Sequence, residues 1–436
     1  MSAGECPFGA KVVDYFDHNS REYVDKRHAW YQQIRRDIGP VFWSPNYGGY
    51  WVVIGFAELE AAARDWETFS SKHVLDADGR ARPLDGLRYE GLFVPPRPYS
   101  SILLEEDPPA WERSRQALAA TFSLPAAERW RGRLQDLVDA CLDRKIESGA
   151  IDFAKDISNI VPAILSLELA GVPTDHYQLV ARNHHLTSHI PAGSPQLLEL
   201  ADDLAFERAQ VVKAVEDHKT GERGRDVISV LLNARDKGTA DFTDDEILAL
   251  ANLVIGAGID TTASVLCNAL QILTKRPDLR KTLMEDPSLT VTAFEEFLRI
   301  SAPTQGLCRT VTRDVELGGQ NLRRGDRVML CFAAACRDPR EFDKAEEVVL
   351  ERKPNLHVAL GSGTHRCLGQ FYARLEFETI LNTVLRRMPD FQVDLDAVKS
   401  FENVGVVTGF TSVPATFTPG AKLGVDPKVP GFFAGA

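Results

Sequence analysis

Ten residues toward the C-terminal end join a sulfur to an unusual backbone: Leu360-Gly361-Ser362-Gly363-Thr364-His365-Arg366-Cys367-Leu368-Gly369. The glycines permit a tight turn that other residues resist. Cys367 stands where this loop enters a helix predicted to start near Leu368. Helix N–H groups and the neighbouring Arg366 would favour thiolate over thiol. A thiolate in such a loop suits a soft or borderline metal. No second cysteine is nearby, so a four-ligand zinc or iron–sulfur site does not fit. One thiolate with an open face suits an iron whose equatorial ligands come from a macrocycle. The alternative is a buried cysteine beside a glycine turn with no ligand at all.

Other residues could carry chemistry. Asp260 and Thr261 fall near the middle of an apolar segment, where an uncompensated carboxylate is costly. Asp260 either pairs with an arginine or does work there. Glu296 and Arg299 stand three apart on a predicted helix and can pair on one face. His185 and His189 stand four apart, but no His-Glu-x-x-His pattern frames them. A polar helix near a substrate entrance reads better there than a metal site, and His184 joins it.

The elements that must position these groups follow from the pattern. Short β-rich runs at Val41–Trp43 and Tyr50–Ile54 flank a Pro-Asn-Tyr-Gly-Gly turn and predict a hairpin. Residues 74–100 read as a long irregular loop, which in a compact domain is usually functional. Helical spacing marks Trp111–Phe122, Ala127–Gly149, Ile157–Ala170, Pro195–His218 and Asp226–Lys237. A capping box at Thr243-x-x-Glu246 then opens a run with no proline before Pro277. About 32 residues at 1.5 Å each predict a helix of roughly 48 Å that crosses the molecule. Its middle, Ile255-Gly256-Ala257-Gly258-Ile259, is nearly bare on one face, which predicts either close approach of a flat ligand or a kink. Short strands follow Pro303. A helix is predicted over Leu368–Met388, and a β-hairpin around Gly409 within Phe401–Thr418. The fold class read from this order is mainly α with a smaller β region. It is one domain over 1–436, with residues 1–20 and 420–436 as peripheral tails.

Composition excludes several classes. The 436 residues are 44% hydrophobic and 26% charged, which is unlike a disordered chain. A net charge of −12 repels nucleic acid. Seven irregularly spaced cysteines, with no Cys-x-x-Cys pair, do not form a disulfide framework and suit a reducing cytosol. The N-terminal stretch has charges at Glu5, Lys11 and Asp14 and does not read as a signal peptide. The longest apolar stretch, Leu248–Ile259, is shorter than a bilayer span. A cytoplasmic monomer without a membrane anchor is expected.

Taken together, the motifs resemble the cytochrome P-450 family. The decapeptide is similar to that family's haem-binding loop, with Cys367 as axial thiolate. Gly256–Thr262 resembles its oxygen-activating helix, and Glu296-Phe297-Leu298-Arg299 its Glu-x-x-Arg motif. Arg337-Asp338-Pro339, followed by Phe342 and Arg352, resembles the segment that completes the Glu–Arg network. Trp111 and Arg115 match its Trp-x-x-x-Arg pattern. Leu360 stands where the family usually has Phe, a departure that bears on packing beside the thiolate and on its redox tuning.

The resemblance implies haem b as cofactor. Its propionates would be held by Trp111, Arg115, Arg309 and His365, and its ring bordered by Ala257, Gly258, Leu360, Gly361 and Gly369. It implies that Thr261 holds dioxygen by hydrogen bond, that Asp260 passes protons, and that Gly256, Ala257 and Gly258 leave room for oxygen and substrate. Glu296, Arg299 and Arg352 would form a structural network. The implied activity is insertion of one oxygen atom into an apolar small molecule. Electrons would come from NAD(P)H through a separate reductase and an iron–sulfur ferredoxin, which docks on Arg113, Arg366 and Arg374. Peroxide-using or isomerase members, and a haem protein that binds or senses without turnover, are the alternatives. The acid–alcohol pair favours dioxygen use.

Overall fold

The computed structural model describes residue 7 and residues 9–190, 194–403 and 406–432. Helices dominate. In chain order they are α1 (Arg21–Asp37), α2 (Phe56–Arg64), α3 (Ala110–Ala119), α4 (Leu124–Glu128), α5 (Arg131–Asp143), α6 (Ile160–Ala170), α7 (Tyr177–His189) and α8 (Pro195–Glu199). Then come α9 (Ala201–Thr220), α10 (Val227–Asp236), α11 (Asp244–Lys275), α12 (Pro277–Glu285), α13 (Thr290–Ser301), α14 (Phe332–Ala335) and α15 (Gln370–Arg387).

The predicted central helix is α11, 32 residues long. Thr243 and Glu246 close the capping box reciprocally, and Arg276 ends the helix against Pro277. The helix runs through Gly256 and Gly258 without interruption, so the glycines do not break it. By length and apolarity α11 could span a bilayer, but 67% of its most apolar window is buried inside the protein, packed on α6, α7, α9, α13 and α15.

The predicted N-terminal hairpin is present: Val41–Ser44 pairs antiparallel with Tyr50–Val53. All eight residues are buried, because the hairpin is two strands of a five-stranded sheet completed by Arg327–Leu330, Leu307–Val311 and Phe69–Ser70. The hairpin expected around Gly409 forms differently. Lys399–Ser400 pairs with Phe410–Ser412, while Pro414–Thr416 joins Gln392–Val393 and Ala150–Asp152. Gly409 is therefore not the turn. A side chain there would strike the Phe401 ring at 2.4 Å.

Other boundaries shift for local reasons. The run over Pro195–His218 breaks at Leu200 into α8 and α9. A π-turn over Ala154–Ser158 precedes α6. The 74–100 segment carries a two-residue ladder, Pro83–Leu84 with Leu87–Arg88, and single bridges from Leu75 to Ala81 and from His73 to Glu90. Glu105 pins the end of this segment: its two carboxylate oxygens accept from Leu92 N at 2.8 Å and Ser101 N at 2.7 Å.

The ends expected to be peripheral are packed. Val13, Phe16, Val429 and Phe432 are buried. Asp143 accepts from Leu423 N at 3.0 Å and Gly424 N at 2.7 Å, strapping the C-terminal segment across α5. The six described cysteines are unbonded to one another, and Cys6 lies outside the described residues.

Candidate active site

The Cys367 loop is shaped by its backbone. Gly361 and Gly363 take φ of +73° and +64°. A side chain on Gly363 would meet Ala63 O at 2.5 Å, so this glycine lets the loop close on the end of α2. Cys367 N donates to Leu360 O at 2.8 Å. Leu360, in the place of the family's usual Phe, is packed against the core. The sequence expectation of a readily ionised thiol is not met by the protein alone. Helix α15 starts at Gln370, beyond Leu368 and Gly369. Burial pushes the Cys367 thiol up, against the opposing pull of Gly369 N–H, Arg115, Arg374 and Arg366. A metal cation reverses that balance by ionising a coordinating thiol.

Four donors gather around this loop with no anion between them among the described residues. Arg309 is 4% exposed, yet among the described residues its guanidinium's only hydrogen bond runs to Cys308 O at 2.7 Å. Burial pulls its guanidinium down to about 10. His365 Nε2 is buried without a partner. Burial, then Arg309 and Arg115, hold that imidazole down to about 3. Arg115 sits 5.8 Å over Trp111, one turn away on α3, and the Trp111 and His365 rings meet edge to face at 6.0 Å. Buried cations without partners are expensive, so this cluster fits a ligand that brings carboxylates. The two propionates of haem are such groups.

On α11, Ala257 is exposed and Thr261, one turn on, is half-buried. Thr261 Oγ1 donates to Ala257 O at 3.0 Å. The two glycines face elsewhere, which corrects their sequence reading. A side chain on Gly256 would meet the His184 ring at 3.1 Å, and one on Gly258 would meet Ser166 Oγ at 2.5 Å. They are small because α7 and α6 pack tightly against α11. Ala257 and Thr261 form the open face.

Asp260 is buried and does not pair with an arginine. Its Oδ1 meets His185 Nδ1 at 3.1 Å, and its Oδ2 accepts from Ser188 Oγ. Neither partner was apparent from sequence, since each lies more than 70 residues away. His184 bonds Glu207 instead, at 2.7 Å. Among the described residues no cluster of three metal-ligating side chains occurs.

Behind the loop lies the predicted ion network. Arg299, fully buried, donates to both Glu296 oxygens at 2.8 Å and to Cys336 O, Ala345 O and Glu347 O. Glu296 also accepts from Arg352 Nε at 3.0 Å, from Val349 N at 2.9 Å and from Asn355 Nδ2 at 3.2 Å. Asp338, by contrast, belongs to a second cluster, with Arg340 and Phe56 N. A pairing absent from the sequence reading joins α13 to α15: Glu295 accepts from Arg374 Nε at 2.6 Å and from His357 at 2.9 Å. Arg374 is thus already engaged. So is Arg113, which bonds Asp241 O and the Glu246 carboxylate. Of the three arginines expected to dock a ferredoxin, Arg366 alone is exposed with no carboxylate at salt-bridge distance among the described residues.

Comparison with known proteins agrees with this geometry. The family model described as Cytochrome P450 matches residues 95–409. A cytochrome P450 of Rhodopseudomonas palustris, CYP199A2, is 30% identical over 390 residues, covering 89% of this chain and 90% of that protein. A steroid C26-monooxygenase of Mycolicibacterium smegmatis is 32% identical over 355 residues, covering 80% and 87%. Among solved structures, CalO2 superposes with a TM-score of 0.80 at 27% identity, covering 94% of this chain and all of that one. The fold and site define a haem-thiolate oxygenase. This chain belongs to the cytochrome P450 family, is a monooxygenase of it, and binds haem with Cys367 as the axial thiolate.

Proposed function

We propose that this monooxygenase inserts one atom of dioxygen into an apolar small molecule, with electrons drawn from NAD(P)H through a reductase and an iron–sulfur ferredoxin. The observation that carries the reading is the pairing of a buried carboxylate, Asp260, with the adjacent half-exposed hydroxyl of Thr261.

Haem, when bound, supplies the reduction of dioxygen and the attack on an unactivated C–H bond. The protein supplies the rest. Cys367 Sγ would hold the haem as its thiolate ligand. Arg115, Arg309, His365 and Trp111 would hold the propionates; that Arg309 has no carboxylate partner among the described residues and that His365 Nε2 is buried without a partner support that role. Thr261 Oγ1 would hold a proton at the open face of α11, and Asp260 would restore it from solvent while its burial limits bulk water. The Glu296–Arg299–Arg352 network fixes the loop and takes no part in the reaction.

The substrate enters through a cleft of about 690 Å³ whose apolar lining is Leu186, Ile190, Leu200 and Val398 and whose rim carries Arg21, Glu199, Lys399 and Glu402. The steroid named for the Mycolicibacterium relative supports an apolar substrate class. The chain works as one cytoplasmic domain and as a monomer. It binds neither nucleic acid nor a membrane.

Replacing Thr261 with Ala tests the reading. Product formed per NAD(P)H should fall roughly tenfold or more while NAD(P)H oxidation continues and hydrogen peroxide appears. Unchanged coupling would remove the acid–alcohol pair from the mechanism. The ferredoxin meets the surface around Arg366. Arg366→Glu should raise the KM for ferredoxin several-fold and leave the substrate-induced spectral shift as it was. An unchanged KM would place the docking surface elsewhere.

A further inference from the structure

Helix α1 buries Tyr23, Trp30 and Tyr31. Phenols and indoles are the ring types that give up an electron most readily. These rings form a series. Tyr31 lies 6.2 Å from Tyr23, Tyr23 lies 6.3 Å from Trp30, and Trp30 lies 5.3 Å from Tyr15, between ring centroids. Each spacing falls in the range of touching aromatic pairs, about 4.5–7 Å. Tyr31, Tyr23 and Trp30 are buried, whereas Tyr15 is 40% exposed. The series therefore runs from the interior to the surface without a gap.

Its inner end carries polar groups that packing alone does not need. A buried hydroxyl is costly unless it is hydrogen-bonded, and phenylalanine would fill either position. Here the Tyr23 and Tyr31 hydroxyls bond each other, Tyr23 Oη donates to Gln305 Oε1 at 3.3 Å, and Cys331 Sγ donates to Tyr31 Oη at 3.6 Å. Cys331 follows the strand Arg327–Leu330, in which Val328 pairs with Arg309 and Leu330 with Leu307. At about 3.3 Å per residue, Cys331 stands about 10 Å along the sheet from Arg309, the buried guanidinium that fits a haem propionate.

We propose that Tyr31, Tyr23, Trp30 and Tyr15 form a discharge path through which the substrate-free enzyme reduces hydrogen peroxide. Haem, when bound, supplies the centre at which peroxide is reduced. The four side chains supply electrons one at a time. Each pass moves one electron inward from Tyr15 through Trp30 and the two buried phenols. The Tyr15 phenol proton goes to solvent, and a tyrosyl radical is left at the surface. A one-electron reductant of the ascorbate or thiol class then returns a hydrogen atom to Tyr15. Two passes, with two protons from solvent, convert one hydrogen peroxide into two waters. Tyr23 and Tyr31 keep their protons within the bonds to each other and to Gln305, so no water need enter the core. Oxidising equivalents leave at Tyr15 instead of attacking buried side chains. The path needs haem at Cys367 but neither Asp260 nor Thr261, so it stands apart from the dioxygen reading.

Spin trapping tests it. Substrate-free ferric holoenzyme, mixed with hydrogen peroxide and a nitroso spin trap and then digested for mass spectrometry, should carry the trap on Tyr15. Trp30→Phe should lose most of that adduct and bleach its haem several-fold faster per peroxide added, while its reduced carbon monoxide complex keeps the parent's amplitude. Tyr23→Phe/Tyr31→Phe, which keeps both rings and removes both hydroxyls, should do the same. In Tyr15→Phe the adduct should move inward to Trp30 or Tyr23, and bleaching should again quicken.

Absence of an adduct on Tyr15 in the parent overturns the proposal. So does a Tyr15 adduct that survives Trp30→Phe, because peroxide in solvent then oxidises Tyr15 directly. Bleaching at the parent rate in Tyr15→Phe overturns it as well. Ascorbate should protect the parent from bleaching and leave Trp30→Phe unprotected; equal protection of the two would mean that electrons enter by another route. If Trp30→Phe fails to hold haem, the two tyrosine variants decide by the same criteria.

Discussion

Cys367→Ala is expected to give a folded protein whose reduced carbon monoxide complex lacks the red-shifted absorption of a haem thiolate and whose product formation falls to background. The scaffold around position 367 does not depend on the sulfur. The loop is held by Cys367 N on Leu360 O, by the left-handed backbone of Gly361 and Gly363, and by the Glu295 pairs to Arg374 and His357. None of these contacts is lost in the variant. The propionate donors also remain, so some haem should still bind, and the defect reads out in the ligand field rather than in folding. The other described cysteines make poor substitutes. Cys141, Cys267, Cys308, Cys331 and Cys336 are all buried, and burial pushes the thiols of Cys141, Cys267 and Cys336 up to about 12. A Cys367→Ala protein that kept the red-shifted complex would move the axial ligand elsewhere and undo the assignment of the site.

What sequence could reveal depended on the range of the interaction. The capping box and the Pro277 stop are local, so α11 was legible end to end. The Cys367 loop was legible because its chemistry is carried by ten consecutive residues. Gly256 and Gly258 were legible as unusual but not as to cause, because the neighbours that crowd them, His184 and Ser166, sit on other helices. Helix α1 escaped notice because its exposed face is dense in charge and its buried residues, Tyr23, Trp30, Tyr31 and Ile34, are spread thinly along 17 positions. Charge partners were the least legible of all. Arg113 and Arg374 read as a docking surface, but Glu246 and Glu295, 133 and 79 residues away, neutralise them. His185 was weighed against His189 four residues on, but spacing could not name Asp260, a partner 75 residues away. A periodic pattern reports which side of a helix is apolar, but it cannot name what lies on the other side.

Glu296→Ala is expected to destabilise the protein by about 3–5 kcal/mol, the range for removing one partner of a buried ion pair. The size follows from what is left behind. Arg299 has no exposure, and of its five bonds two end on Glu296 and three on backbone carbonyls. Without the carboxylate, a guanidinium stays buried with no counter-charge, and Arg352, 10% exposed at its side chain, adds a second. Val349 N and Asn355 Nδ2 lose an acceptor as well. Replacing Glu296 and Arg299 together with Leu should recover only part of the loss. The charge problem disappears, but the carbonyls of Cys336, Ala345 and Glu347 then lack their donor.

The deficit should also depend on pH with a definite sign. Burial would raise the Glu296 carboxyl, but Arg299 and Arg352 hold it below the usual carboxylate range. A carboxylate depressed in the folded state contributes stability above its unfolded pKa and loses it as pH falls through the folded value. Urea unfolding of parent and Glu296→Ala should therefore show the full gap near neutrality and a narrowing gap once the pH drops below the ordinary Glu range. A neutral-pH gap under about 1 kcal/mol would mean that water or a relaxed backbone already compensates Arg299. A gap that stayed constant in acid would mean that the lost packing of the side chain, and not its charge, holds the loop that carries Cys367.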